Sequence, residues 1–364
     1  MKKKLNIAML LAIFSLVCAC NKKGAFLKTE VSSPIHHLEV GYLFLEKEMA
    51  IKAERQFLLA LEQSPKLIRA HVGLALVKAL QKNKEQALLK MKEAQALVKN
   101  EDDQADVYEG KIHLVYLLSD PKMLPQAEEA FKQLMKIRPA PASTCFYMAL
   151  IYKKAFLFDY AFSLLERVLK TKNPFVLRAY NEIENITKIK EAQPITNIAK
   201  EIALKETITR ADMAALLVHE LHLDQLIKTP IPNFSKIKDI SAERFAKEII
   251  AISPLEINGL SVGVDGYFAP DSKLTKASLC QILEDIVVMI SKNKDLRKYF
   301  RRIHSPYKDL KKEASYYNAC ILSLVKGFIL PSDRSNKLFG PLSSISGLDA
   351  LLALKRLGKE VGII

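Results

Sequence analysis

Apolar residues recur along the chain at three- and four-residue intervals, and small residues recur at a longer fixed interval, a pattern that predicts paired helices. Gly41 and Phe44 sit one turn apart, followed by Ala53, Phe57 and Ala60 and then Pro65. The same order returns with Ala75, Ala87, Met91 and Ala94, and Ala87 falls 34 residues after Ala53. A third unit has Ala127, Phe131 and Pro139, displaced by 40 because of the loop around 101–106. A fourth has Ala149, Tyr152, Ala161, Leu165 and Asn173-Pro174, with Ala161 again 34 residues after Ala127. A small residue lets two helices approach, a bulky one fills the gap beside it, and proline ends the second helix. Beyond Pro174 this register fades, helical sequence continues to about Lys190, and Gln193-Pro194 marks a boundary.

A different repeat follows. Ile208-Thr209-Arg210-Ala211-Asp212-Met213, Leu274-Thr275-Lys276-Ala277-Ser278-Leu279 and Ile345-Ser346-Gly347-Leu348-Asp349-Ala350 superpose, each leading into an apolar-periodic helix. Thr209, Thr275 and Ser346 are N-cap candidates, with Asp212 and Asp349 placed three residues on to complete a capping box. Phe268-Ala269-Pro270 and Phe339-Gly340-Pro341 precede the second and third segments, seven residues from Phe to hydroxyl in both. Upstream, Asp239-Ile240 and Asp309-Leu310 are expected to open two further helices, carrying Phe245, Ile249 and Ile250 in one and Tyr317, Ile321 and Leu324 in the other.

The first pattern resembles the tetratricopeptide repeat, a 34-residue helix-turn-helix unit, in four copies over 34–174, although His37, His71, Lys111 and Cys145 stand where that family often has tryptophan. The resemblance implies a superhelical solenoid whose first helices line a concave face that binds a protein or peptide. Tyr42, Leu45, Arg69, Val72, Leu76, Phe146, Leu150 and Lys153 are its candidate groove residues. The second pattern resembles the S-layer homology repeat over 193–357, with units at about 193–231, 234–292 and 305–357. The first unit is recognisable only from Ile208 to Leu221. That resemblance implies a compact helical domain binding cell-wall polysaccharide or peptidoglycan, with Thr209, Arg210, Asp212 and Lys276 as candidate ligand residues. Arg210 matches the family's arginine, Lys276 keeps its charge without the guanidinium fork, and Gly347 keeps neither. The expected fold is all-α, a solenoid followed by this domain, with a connection over 175–192 and a tail over 358–364.

The N-terminus changes the picture of where such a protein works. Lys2-Lys3-Lys4 precede an uncharged, mostly apolar run from Ile7 to Ala19, shorter than a membrane span, which reads as a secretory leader over 1–19. The run ends Val17-Cys18-Ala19-Cys20, which resembles a bacterial lipobox and implies a covalent lipid on Cys20. A polar tether fills 20–33. The expectation is a cell-envelope lipoprotein, at the periplasmic face of the outer membrane if the cell has one. Removing the leader lysines takes the net charge from +15 to +12. In an exported chain this charge faces anionic lipid or wall polymer rather than nucleic acid.

Across 364 residues, 49% hydrophobic and 26% charged, the composition excludes a disordered chain and a polytopic membrane protein, and 12 Gly with 15 Pro suits helices. Cys145, Cys280 and Cys320 have no metal-like spacing; a Cys280–Cys320 bridge and three buried thiols both remain open. No catalytic, metal or cofactor signature emerges, and a non-enzyme is expected. His219-Glu220-Leu221-His222 lacks the zinc-protease spacing and reads as a helix face. Gly259, Gly263 and Gly266 suit a loop before Phe268 rather than a phosphate cradle. Asp265 and Asp271 lack the ligand alternation of a calcium loop. The expected function is an envelope adaptor joining a protein partner to wall polymer; the alternative is an outer-membrane or pilus assembly factor whose C-terminal region is scaffold alone.

Overall fold

The computed structural model describes residues 33–226 and 237–363, so the leader, Cys20 and nearly all of the tether lie outside the described residues. Among the described residues the protein is all-α, with seventeen helices and no strand. Two compact units divide the chain, 33–148 and 149–363.

In the first unit, helices pair in chain order. Helix α1 (Pro34–Glu46) packs on α2 (Ala50–Gln63), α3 (Ile68–Leu80) on α4 (Lys84–Ala96), and α5 (Glu101–Leu118) on α6 (Leu124–Ile137). The first helices also touch one another, α1 on α3 and α3 on α5. The small-residue spacing explains this closeness. Phe57 is fully buried on α2, and a Cβ on Gly41 of α1 or Gly73 of α3 would come within 2.6 or 2.5 Å of its ring. Glycine at these two positions is therefore a packing requirement. Val72 stands against Gly110 of α5 in the same way, 2.3 Å from where a Cβ would be. Ala53, Ala60, Ala75, Ala87 and Ala94 are fully buried beside them.

Two more helices follow in chain order, α7 (Ala142–Lys154) and α8 (Phe158–Leu169). The division between units falls inside α7, upstream of the 175–192 connection read from the sequence. The reason lies in α9 (Val176–Ala192), which packs on α8 and also on the last helix, α17 (Gly347–Glu360), tying α8 to the C-terminal unit.

The second unit places α10 (Asn197–Ala203), α11 (Arg210–His219), α12 (Leu223–Leu226), α13 (Ala246–Ile252), α14 (Lys276–Ser291), α15 (Leu296–Tyr299) and α16 (Tyr317–Val325) around one apolar core with α17. Thr209, Thr275 and Ser346 each cap a helix, accepting from the backbone N–H three residues on. The residues just before these caps bond in a closed ring. Ile208 N–H donates to Ile345 O (3.1 Å), Ile345 N–H to Leu274 O (3.2 Å) and Leu274 N–H to Ile208 O (2.9 Å). A second tier repeats the rotation: Arg210 N–H donates to Ser272 O, Lys276 N–H to Ser343 O and Gly347 N–H to Lys205 O. Three segments that resemble one another in sequence thus meet as three equivalents in space.

Asp239 and Asp309 do not open helices. Each lies several residues ahead of α13 or α16, and its carboxylate accepts two backbone N–H groups from the Phe loop: Phe268 and Ala269 for Asp239, Phe339 and Gly340 for Asp309. These loops have orphan donors that a helix would have satisfied internally, so the carboxylates are used there.

Candidate functional site

The four ligand candidates in the C-terminal unit are held by the fold itself. Thr209 and Asp212 close a reciprocal capping box, with Thr209 N–H donating to Asp212 (3.0 Å) and Asp212 N–H to the threonine hydroxyl (3.2 Å). Asp212 is 2% exposed and its other oxygen takes the Lys205 ammonium at 2.7 Å. The Arg210 guanidinium lies 4.6 Å over the Phe268 ring and donates to the carbonyls of Phe268, Gly259 and Ser261. Lys276 is 6% exposed; its ammonium lies over Phe339 and donates to Ser332 Oγ (2.6 Å), Phe339 O (3.0 Å) and Leu330 O (3.3 Å), using all three of its donors. Burial pushes both cations below their ordinary pKa values. Thr209, Arg210, Asp212 and Lys276, the expected ligand residues, thus have their polar heads engaged in capping a helix or in fastening one segment to the next.

Gly347 completes the set. The place taken by Phe268 and Phe339 at the other two junctions, seven residues before the hydroxyl cap, is taken here by Ile202 near the end of α10. A Cβ on Gly347 would stand 1.7 Å from Ile202 O. A helix end has replaced the Phe loop, and it comes so close that no side chain fits.

Beside two of the junctions the surface opens into clefts. One, of about 480 Å³, is lined by Arg210, Ser261, Asp265, Tyr267, Ser272 and Lys273. The other, of about 460 Å³, is lined by Lys276, Ser332, Ser343, Ser344, Asp349 and Arg356, with Lys188 and Glu191 from α9. Ser272 and Lys273 in the first stand where Ser343 and Ser344 stand in the second. Tyr267 and Lys273 are exposed.

The solenoid candidates divide differently. Leu45, Val72, Leu76, Phe146 and Leu150 are buried, which corrects their assignment to an open groove, and the first three belong to the apolar core of the first unit. Lys153 pairs with Glu182. Tyr42 is half-buried beside the exposed Arg69 in the first unit, with the Tyr42 hydroxyl donating to Arg69 O (2.9 Å) and the Arg69 guanidinium 5.5 Å from the Tyr42 ring. Burial raises the Tyr42 pKa, and the charges of Arg69, Asp106 and Glu109 all act on it, so these groups form one neighbourhood. Arg138 binds there, to Asp106 at 2.7 Å and Glu109 at 2.8 Å. Burial raises the Glu109 pKa against the pull of Arg138.

Asp102, Asp106, Glu109, His113 and Tyr116 share one face of α5 at helical spacing, and His113 stacks on Tyr147 with ring centroids 3.9 Å apart. The sequence reading missed this stripe, although its spacing was visible.

Cys145, Cys280 and Cys320 are buried free thiols; the side-chain hydrogen bond with Cys280, then burial, raise the Cys320 pKa. The His219-to-His222 segment is a helix end rather than a helix face: α11 stops at His219, which contacts Glu248, while Glu220 accepts from the Ile195 and Thr196 backbone. No group of three or more metal-ligating side chains gathers among the described residues, and no described helix is long and apolar enough to cross a membrane. No protein-family model matches the chain, and no curated protein matches it.

Proposed function

We propose that the protein is a lipid-anchored cell-envelope adaptor, held at Cys20, in which a tetratricopeptide-like array receives a protein partner and an S-layer-homology-like domain docks on wall polymer. The observation that carries this reading is the ring of Ile208, Leu274 and Ile345, which arranges three repeated segments as equivalents and leaves clefts beside two of their junctions. In the first half, the pairing of helices and the α5 stripe support a surface suited to an extended peptide. Neither surface is assigned any chemistry beyond binding.

Because Arg210 is fastened to three carbonyls, polymer contact falls to the exposed cleft residues, Tyr267 and Lys273. The test is co-sedimentation of residues 21–364 with purified sacculi, intact or stripped of attached polysaccharide. Tyr267→Ala with Lys273→Ala is expected to reduce binding to intact sacculi at least tenfold while the melting temperature stays unchanged.

A second reading has its own support. The internal use of Arg210 and Lys276, and the absence of any side chain at Gly347, favour a domain that is scaffold alone within an assembly factor. It requires that sacculi retain neither the parent chain nor the variant, and that the chain co-purify with an outer-membrane assembly complex.

A further inference from the structure

We propose that the segment 292–304 is a docking surface for a bilayer carrying anionic phospholipid headgroups, a contact independent of any lipid on Cys20. Six cations, Lys292, Lys294, Arg297, Lys298, Arg301 and Arg302, stand against the single carboxylate Asp295 in these thirteen residues. The segment contains α15 followed by a 3-10 turn, Phe300–Arg302, and it is hydrogen-bonded to α16. Asn318 on α16 donates to Leu296 O (2.7 Å) and accepts from Arg301 N–H (3.0 Å), and the Tyr317 hydroxyl donates to Ile303 O (2.8 Å). Phe300 is buried and Leu296, four residues earlier, is half-buried, so this side of the turn faces the core and four of the cations lie exposed around it.

Two of the six are engaged inward. Arg297 pairs with the buried Asp285, and the charge of Arg301 acts on Glu284. Lys292, Lys294, Lys298 and Arg302 are exposed and pair with no carboxylate among the described residues. The helical stretch 296–302 is only about 11 Å long at helical rise, close to one Debye length, so its charges repel one another and strengthen as a group toward an anionic surface.

Between them stand Tyr299, 58% exposed, and Ile303, 39% exposed. Interleaving an aromatic and a branched aliphatic side chain with lysine and arginine suits the headgroup boundary, where apolar side chains gain by insertion and cations by contact with phosphate. A polysaccharide or nucleic acid would satisfy the cations and leave Ile303 in water.

The test uses unlipidated residues 21–364 and sedimentation with vesicles of phosphatidylcholine, alone or mixed with phosphatidylglycerol. Binding is expected only to the mixed vesicles and to weaken as salt rises. Replacing Lys294, Lys298 and Arg302 together by Gln should lower the partition by about fivefold per cation, about two orders of magnitude in all. Tyr299→Ala should lower it further at a given salt concentration. A control with Lys47, Lys66 and Lys92 replaced by Gln, which removes the same charge from exposed positions elsewhere, should bind like the parent. Equal losses in both triple variants, or equal binding to phosphatidylcholine alone, would overturn the proposal. So would a parent chain that ignores the mixed vesicles yet binds dextran sulfate through the patch, because the surface would then belong to a soluble polyanion.

Discussion

Gly347 and Glu284 are single positions whose neighbours determine what they can be. At Gly347 the obstacle is backbone, Ile202 O at 1.7 Å from where a methyl group would stand, and backbone cannot turn aside as a side-chain tip can. Gly347→Ala is expected to cost about 3 kcal/mol or more in urea unfolding, through overpacking and a displaced segment junction. Glu284 lies 8% exposed against the Asn318 amide. Burial, seconded by the charge of Asp285, raises its pKa above the ordinary 4.5, although Asn318, Arg297 and Arg301 oppose the shift. The folded state therefore holds this proton more tightly than the unfolded state. Its contribution to stability is complete below the ordinary value and is lost as pH rises through the raised one. Glu284→Gln keeps an acceptor for Asn318 and removes the titration. Melting curves from pH 4 to pH 8 should show a higher midpoint at the upper end and a flatter pH dependence; an unchanged slope would mean that the carboxylate is solvated.

Phe57 and the glycines facing it act at the scale of helices. The ring fills the space that α1 and α3 leave by lacking side chains at Gly41 and Gly73, so the three positions are one packing unit. Gly73→Ala should destabilise by about 1–3 kcal/mol, and pairing it with Phe57→Leu should recover part of that loss. A double-mutant cycle with a coupling energy near zero would show that the two residues do not share the space. The same arrangement explains why the groove candidates Leu45, Val72 and Leu76 are buried. When glycines bring first helices this close, apolar side chains at the seam have no outward direction, and only polar residues such as Tyr42, Arg69, Asp106 and Glu109 remain on the face. Periodicity identifies which positions lie on the same side of a helix; it does not tell whether that side meets water or a neighbouring helix.

At the scale of the second unit, closure of the ring is the decisive event, since each of its three amides depends on a carbonyl 66 to 137 residues away. Under native conditions the amides of Ile208, Leu274 and Ile345 should exchange hydrogen with one common free energy, as a single cooperative unit. Clearly separate values would mean that the three junctions open independently. The helices, the hydroxyl caps at Thr209, Thr275 and Ser346, and the small-residue spacing were legible in the chain because they depend on partners within about four residues or on one repeat length. The role of Asp239 and Asp309 was not, because a carboxylate shows its backbone partners only when a loop 29 to 31 residues away has folded against it. Nor was the spending of the Arg210 and Lys276 donors, whose acceptors lie 49 to 63 residues away. By itself the sequence determined an all-helical chain with two kinds of repeat and the places where its helices begin. Only the tertiary structure decided which polar heads stay free, since a hydrogen-bonding group bonds whatever acceptor the fold brings within about 3 Å, and that choice is made between segments far apart in the chain.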